Sequence, residues 1–120
     1  MKISASHHPG GFGLLDVVGE LDAFTSEDLA SALKEWIAKE AGRVILNFTE
    51  VTFLSSAGLR VLQKAQKDSR AIGGEVRVFG VSGHVAKVFA IVGFDRLIPI
   101  FPTLQEALHD WASPKGTNPA

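Results

Sequence analysis

The run Val44-Ile45-Leu46 constrains this chain more than any other feature, because three large apolar residues stand in succession between two helical patterns. An amphipathic helix spaces its apolar residues at three and four, and a half-exposed strand spaces them at two. A short continuous run bounded by polar residues suits a strand buried on both faces, and such strands belong to parallel sheets whose crossovers are helices. Before the run, Leu29, Leu33, Trp36 and Ile37 recur at i, i+4, i+7 and i+8. After it, Leu59, Leu62 and Ala65 recur at threefold spacing. A βαβ arrangement with Val44–Leu46 as its central strand is therefore expected. Leu33, Trp36, Leu62, Val88 and Phe89 are expected in the core.

The remaining elements follow from the same patterns. Lys2 to Ser6 alternates polar and apolar, as a half-exposed edge strand does. His8-Pro9-Gly10-Gly11 is a turn signal, and Leu14 to Val18 makes a second strand, so the first two pair as an antiparallel hairpin. Gly19-Glu20-Leu21-Asp22-Ala23 leads into the first helix. There Thr25 and Asp28 have capping-box spacing, Phe24 and Leu29 stand as a hydrophobic staple, and Gly42 closes the helix. Thr49 to Leu54 reads as a loop or turn. A second helix is expected from about Ser56 to Ile72, stopped by Gly73-Gly74.

Val76, Val78 and Phe79 make another strand. Ser82 is placed to cap a third helix with Val85, Val88, Phe89 and Val92 on one face, ended by Gly93. Leu97 to Phe101 contains Pro99, which cannot donate to a ladder, so that strand is expected to be short or at an edge. Thr103 and Glu106 form a second capping box for a last helix through Leu108 and Trp111. The order β-β-α-β-α-β-α-β-α defines an α/β domain with a mixed sheet, antiparallel at its first strand and parallel elsewhere. Residues 1–112 are expected to form one domain, and 113–120, rich in Pro, Gly, Asn and Lys, a flexible tail.

Several function classes are disfavoured at this stage. The formal net charge is −1 and the Lys and Arg residues are scattered, so no basic stripe marks a nucleic-acid or anionic-membrane surface. The chain has no cysteine, which removes disulfides, zinc–thiolate sites, iron–sulfur clusters and cysteine nucleophiles. No apolar run approaches the roughly 20 residues of a membrane span, and the N-terminus has no apolar signal-peptide core. The expectation is a soluble, cytoplasmic protein. His7, His8, His84 and His109 show no ligand spacing and read as solvated or packing residues. Gly10-Gly11-Phe12-Gly13 lies between two strands and fits a hairpin turn rather than a nucleotide loop. No cofactor or metal is expected.

Leu54-Ser55-Ser56-Ala57-Gly58-Leu59 is the most informative segment, because it opens a helix directly after the buried strand region. Helix N-termini expose unpaired N–H groups and the positive end of the dipole. One of the serines can be a plain N-cap. A serine here can also accept a phosphate that the helix start tolerates. A nucleophile elbow is disfavoured, since Leu54 occupies the position where G-x-S-x-G needs glycine, and no spacing ties a histidine and an acid to Ser56.

Gly19–Ala23, Asn47–Leu62 and the stretch from Val78–Ser82 through Val92–Asp95 to Thr103–Leu108 resemble STAS domains, in order and with matching spacing. The resemblance covers nearly the whole chain except the tail. It implies a small mixed sheet with about four helices packed largely on one face. It also implies a non-enzymatic anti-sigma factor antagonist. In such a switch the unphosphorylated form binds an anti-sigma factor that is also its serine kinase, releasing a sigma factor, and a PP2C-type phosphatase resets it. Counting back from Gly58-Leu59 puts the phosphoacceptor at Ser56. Ser55 then stands where the family has an Asp, Asn47 stands at a second acidic position, and Asp22 matches the acid after the second strand. Ser55, Gly58, Asp22 and Asn47 are expected to support the acceptor loop, and Phe24, Phe53 and Leu54 to serve as exposed partner anchors. The other reading of the resemblance is an unphosphorylated accessory subunit of a transport ATPase or another signalling assembly.

Overall fold

Five strands form one sheet in the order β1-β2-β3-β4-β5. The computed structural model describes residues 1–109 and 111, so the expected tail over 113–120 lies outside the described residues. The elements are β1 (Lys2–His8), β2 (Phe12–Leu21), α1 (Thr25–Lys39), β3 (Arg43–Leu54), α2 (Ser56–Ala71), β4 (Glu75–Phe79) and α3 (Gly83–Val92). A 3₁₀ turn (Phe94–Arg96), β5 (Ile100–Phe101) and α4 (Leu104–Ala107) complete the chain. β1 is antiparallel to β2, and β2, β3, β4 and β5 run parallel. This is the mixed α/β sheet that the patterns predict, with the strand expected around Pro99 reduced to Ile100–Phe101 at an edge and Pro99 just before it.

Alternation along β3 divides the core in two. Val44, Leu46 and Phe48 face α1, α2 and α3, packing with Leu15, Val17, Leu29, Leu33, Leu62, Val76, Val85 and Phe89. Ile45 faces the other way and packs with Phe12, Phe79, Ala107 and Trp111, under α4. Three helices thus cover one face and the short α4 part of the other. Val44, Ile45 and Leu46 are fully buried, as a central strand must be.

Polar groups fix the helices to the sheet. The buried Gln66 of α2 accepts from the Val76 N–H at 2.7 Å and donates to the Val76 and Leu97 carbonyls at 2.9 and 3.1 Å. On the opposite face the Arg77 guanidinium donates to the Ala107 and His109 carbonyls at 2.8 and 2.6 Å, placing a cation at the end of α4. The Trp111 ring lies 4.1 Å from Arg77 and 5.0 Å from Arg43. Burial and the charge of Arg77 lower the Arg43 pKa from its ordinary value.

Several expectations are corrected. Thr49–Leu54 is strand, not loop: β3 continues past a bulge and pairs with β2 as far as Leu21↔Leu54. Trp36 and Val88 are half-buried. Trp36 lies at the sheet margin, where its ring approaches Gly13 and carries Lys39 4.8 Å above it. On α3 only Val85 and Phe89 are buried, and Val92 is exposed. The Phe24–Leu29 staple does not form, because Phe24 is 87% exposed. Ser82 precedes α3 without a side-chain capping bond, whereas Thr103 does cap α4, accepting from the Glu106 N–H at 3.2 Å.

Leu46 is fully buried and Ile72 is 54% exposed. Leu46→Ala is expected to cost about 2–5 kcal/mol in chemical denaturation, and Ile72→Ala within about 0.5 kcal/mol. Equal losses would place the core elsewhere.

Candidate functional site

Parallel pairing gathers the C-terminal ends of β2, β3 and β4 along one edge of the sheet, the edge at which α/β proteins place their sites. The last β2–β3 step is a 2.9 Å bond from the Ser55 N–H to the Leu21 carbonyl. It sets the start of α2 beside the turn that starts α1.

Asp22 organises that turn. Its Oδ1 accepts from the Phe24 and Thr25 N–H groups, both at 2.9 Å, and the Thr25 Oγ1 accepts from the Asp22 N–H at 2.9 Å. The Thr25 hydroxyl donates to the Glu20 carbonyl at 2.6 Å. The reciprocal cap therefore joins Asp22 to Thr25, three residues upstream of the expected Thr25–Asp28 box. A carboxylate receiving two N–H groups outcompetes a hydroxyl receiving one. The Thr25 N–H, the Thr25 hydroxyl and the Phe24 N–H hold the Asp22 carboxyl below its ordinary value of 3.8.

The two serines divide their roles. Ser55 is the N-cap of α2, its Oγ accepting from the Gly58 N–H at 3.2 Å. Ser56 is the first helical residue and is exposed, and among the described residues no hydrogen bond engages its hydroxyl. The first turn of α2 has no acidic residue. Gly58 is needed for packing: a Cβ there would lie 2.6 Å from Leu54 Cδ1 and 3.4 Å from both Leu21 Cβ and Ser26 Oγ. The Ser26 hydroxyl is itself buried at the contact between the two helix starts and has no hydrogen-bond partner among the described residues.

The expected anchors separate. Phe24 is 87% exposed and Phe53 38% exposed, while Leu54 is only 3% exposed. Leu54 is thus a core residue and not an exposed anchor, since adjacent strand residues face opposite sides. Phe53 stacks on His84 of α3, centroids 5.1 Å apart and planes 12° apart. Asn47 is not brought to the acceptor loop by any hydrogen bond among the described residues. It sits within β3, donating to Asp16 Oδ1 at 2.7 Å and accepting from the Thr49 N–H and hydroxyl at 3.0 and 2.8 Å. Patterns along single elements do not show His84; the topology does, because α3 starts where β4 ends on this edge.

Between α1 and α2 runs a groove of about 480 Å³, lined by apolar Leu33, Ile37, Ala57 and Val61 and by the cations Lys34 and Arg60 among others. Ala57, the residue after Ser56, is part of its lining. Among the described residues, no hydrogen bond joins Ser55 or Ser56 to a histidine, no group of three or more His, Asp or Glu residues could hold a metal ion, and no helix is long and apolar enough to cross a membrane.

The sheet order, with three helices on one face and a helix-opening serine at the strand ends, defines a small α/β domain whose distinctive surface is a loop cluster rather than a catalytic cleft. A family model of the STAS domain matches residues 3–107, and the chain belongs to that family. It is 34% identical to the anti-sigma-B factor antagonist of Listeria monocytogenes over 84 residues, 70% of this chain and 74% of that protein. It is 33% identical to the anti-sigma-F factor antagonist RsfB of Mycobacterium tuberculosis over 111 residues, 90% of this chain and 87% of that one. An anti-sigma factor antagonist from Mycobacterium paratuberculosis shares the fold with a TM-score of 0.82 at 24% identity, covering 93% of this chain and 94% of that chain. Membership is thus with the anti-sigma factor antagonists, which are non-enzymatic binding proteins.

Asp22→Ala removes the cap and is expected to lower Tm by about 4–8 °C; Asp22→Asn keeps an acceptor oxygen and recovers most of the loss. The folded carboxyl has a lowered pKa, so the unfolded chain binds more protons between the two values and stability rises with pH there. The contribution of the carboxylate is complete above about pH 4 and is lost as pH falls through the folded value. Melting curves of wild type and Asp22→Asn should differ above that pH and converge below it. Curves that stay parallel would remove the carboxylate from the cap.

Proposed function

We propose that this protein is an anti-sigma factor antagonist switched by phosphorylation of Ser56. The unphosphorylated form binds an anti-sigma factor that is also the serine kinase, using ATP, and so releases a sigma factor. A PP2C-type phosphatase restores it. The observation that carries the reading is the exposed, unengaged Ser56 hydroxyl at the first turn of α2, in a chain related to anti-sigma factor antagonists.

A kinase needs an accessible hydroxyl, and Ser56 has one because Ser55 does the capping. Phosphorylation adds about −1.5 to −2 charges and three acceptor oxygens. At an exposed helix start the dipole and free N–H groups offset that charge by on the order of 0.3–1 kcal/mol, so the domain stays folded. The effect falls on binding. A dianion brought against an acid of a partner costs several kcal/mol, enough to change affinity by orders of magnitude. Phe24 and Phe53, apolar side chains exposed near this loop, serve as anchors.

The test is to incubate the protein with its cognate anti-sigma factor and ATP and to locate phosphate by mass spectrometry. Phosphate is expected on Ser56. Phosphate on Ser55 alone would shift the acceptor by one residue, and none on either serine beside an active kinase control would favour the accessory-subunit reading. Ser56→Asp should keep the melting curve and lose the partner, while Ser56→Ala should bind and resist switching. Phe24→Ala and Phe53→Ala should each weaken pull-down at least tenfold with Tm nearly unchanged; undiminished pull-down by both would misplace the surface.

A further inference from the structure

Arg60 stands four residues after Ser56 on α2, both are exposed, and residues at i and i+4 of a helix lie on one face within reach of each other. Among the described residues Arg60 makes no ion pair and no side-chain hydrogen bond. Arg60 lines both the α1–α2 groove and the hollow beside Leu97. Of the other cations lining these hollows, Lys64 pairs with Asp68 at 2.8 Å and Arg70 donates to the Leu97 carbonyl at 3.1 Å, whereas Lys34 lies across the groove on α1 and Lys67 nearly two turns further along α2, so Arg60 is, among the described residues, the unpaired cation one turn from Ser56. Within its own helix start Ser56 meets no acid, while Glu27 and Asp28 belong to the first turn of the neighbouring α1. Ser55 is neutral, the first turn of α2 has no carboxylate, and Asp22 is tied into its own cap.

We infer that Arg60 is the internal counter-ion of phosphoserine 56: once phosphate is on the serine, the guanidinium closes onto it. The planar fork of arginine matches two phosphate oxygens at once, which lysine cannot do. The modified state is then a defined surface rather than a loose dianion. Arg60 leaves the rim of the α1–α2 groove, and one chemical event alters both the acceptor loop and the groove beside it. The inference rests on the phosphoserine reading above and deepens it. Arg60 is here a positioning residue, since it holds the phosphate and transfers nothing.

The test needs no kinase, so it fails separately from the proposed function. Phosphoserine is installed at position 56 by genetic encoding, and the phosphate is titrated by ³¹P NMR in the full chain, in Arg60→Ala and in Arg60→Lys. A cation closing on the dianion lowers the second phosphate pKa, and an i,i+4 pair corresponds to a shift of about 0.2–0.4 unit. The pKa should therefore rise by that amount in Arg60→Ala and by less in Arg60→Lys, and the difference should shrink at 1 M salt. The unmodified Arg60→Ala chain should melt like wild type, because the side chain is exposed. Equal phosphate pKa values in the three proteins would overturn the inference. So would a phosphoprotein whose Tm falls below that of the unmodified chain, since a clamped phosphate stabilises the first turn of α2.

Discussion

The 2.9 Å bond from the Ser55 N–H to the Leu21 carbonyl is the last rung of the β2–β3 ladder, and the site exists because the ladder reaches that far. Two register shifts, between Asp16 and Val18 and between Gly19 and Glu20, keep β2 in step with β3. Gly19 supplies a φ of +115° at the second, which other residues adopt only with strain. Beyond these bulges Leu21 and Leu54 pair and both turn inward. The Asp22 and Ser55 turns then emerge side by side. Had β3 ended where its continuous apolar run ends, the two helix starts would have no common support. The close contact among Leu54, Gly58 and Ser26 depends on that support.

The two neighbouring helix starts carry opposite electrostatics. α1 is capped by the Asp22 carboxylate and has Glu27 and Asp28 in its first turn, so its positive dipole end is already answered by this chain's own charges. α2 is capped by a neutral hydroxyl, has no acid in its first turn and carries Arg60 one turn along. An anion added at the α2 start meets little internal repulsion. Ser55 is a neutral cap, so the junction adds no negative charge of its own. A neutral cap of this kind adds no repulsion toward an anion on the next residue while still satisfying a helix N–H.

Most of the fold was legible because burial imposes periodicity. Val44–Leu46 could only be central, and Pro99 could only be near an edge. Cap partners were less legible. Thr25 and Asp28 have the right spacing, yet Asp22 takes the position because a carboxylate accepts two N–H groups where a hydroxyl accepts one. Thr49–Leu54 reads as loop because Thr49, Glu50 and Thr52 break the apolar pattern. They are tolerated in strand because β4 stops pairing at Asn47↔Phe79, leaving those positions at the sheet margin. Gln66 gave no sign of itself. A glutamine at an apolar position looks like surface until the unpaired Val76 and Leu97 groups that it satisfies are known. At the site, Ser56, Gly58 and Asp22 came through the family resemblance. The inward orientation of Leu54 is not legible in the same way, because it follows from a strand that the local pattern does not show.

Adjacent residues with opposite duties are what let this surface change without cost to the fold. Leu54 closes the core while Phe53, the residue before it, faces outward and stacks on His84. Ser55 caps the helix while the hydroxyl of Ser56, the residue after it, makes no hydrogen bond among the described residues. A strand sends neighbours to opposite faces, and a helix start separates the cap from the first turn. The strand-to-helix junction therefore interleaves positions that stability requires with positions that it does not. A partner or a modifying enzyme can act on the second set while the first holds the geometry. If the capping serine were itself the accessible one, every modification would remove a helix cap and couple the binding state to partial unfolding. With the roles divided, a charge placed on Ser56 changes the surface seen by a partner, and the domain beneath keeps the same shape.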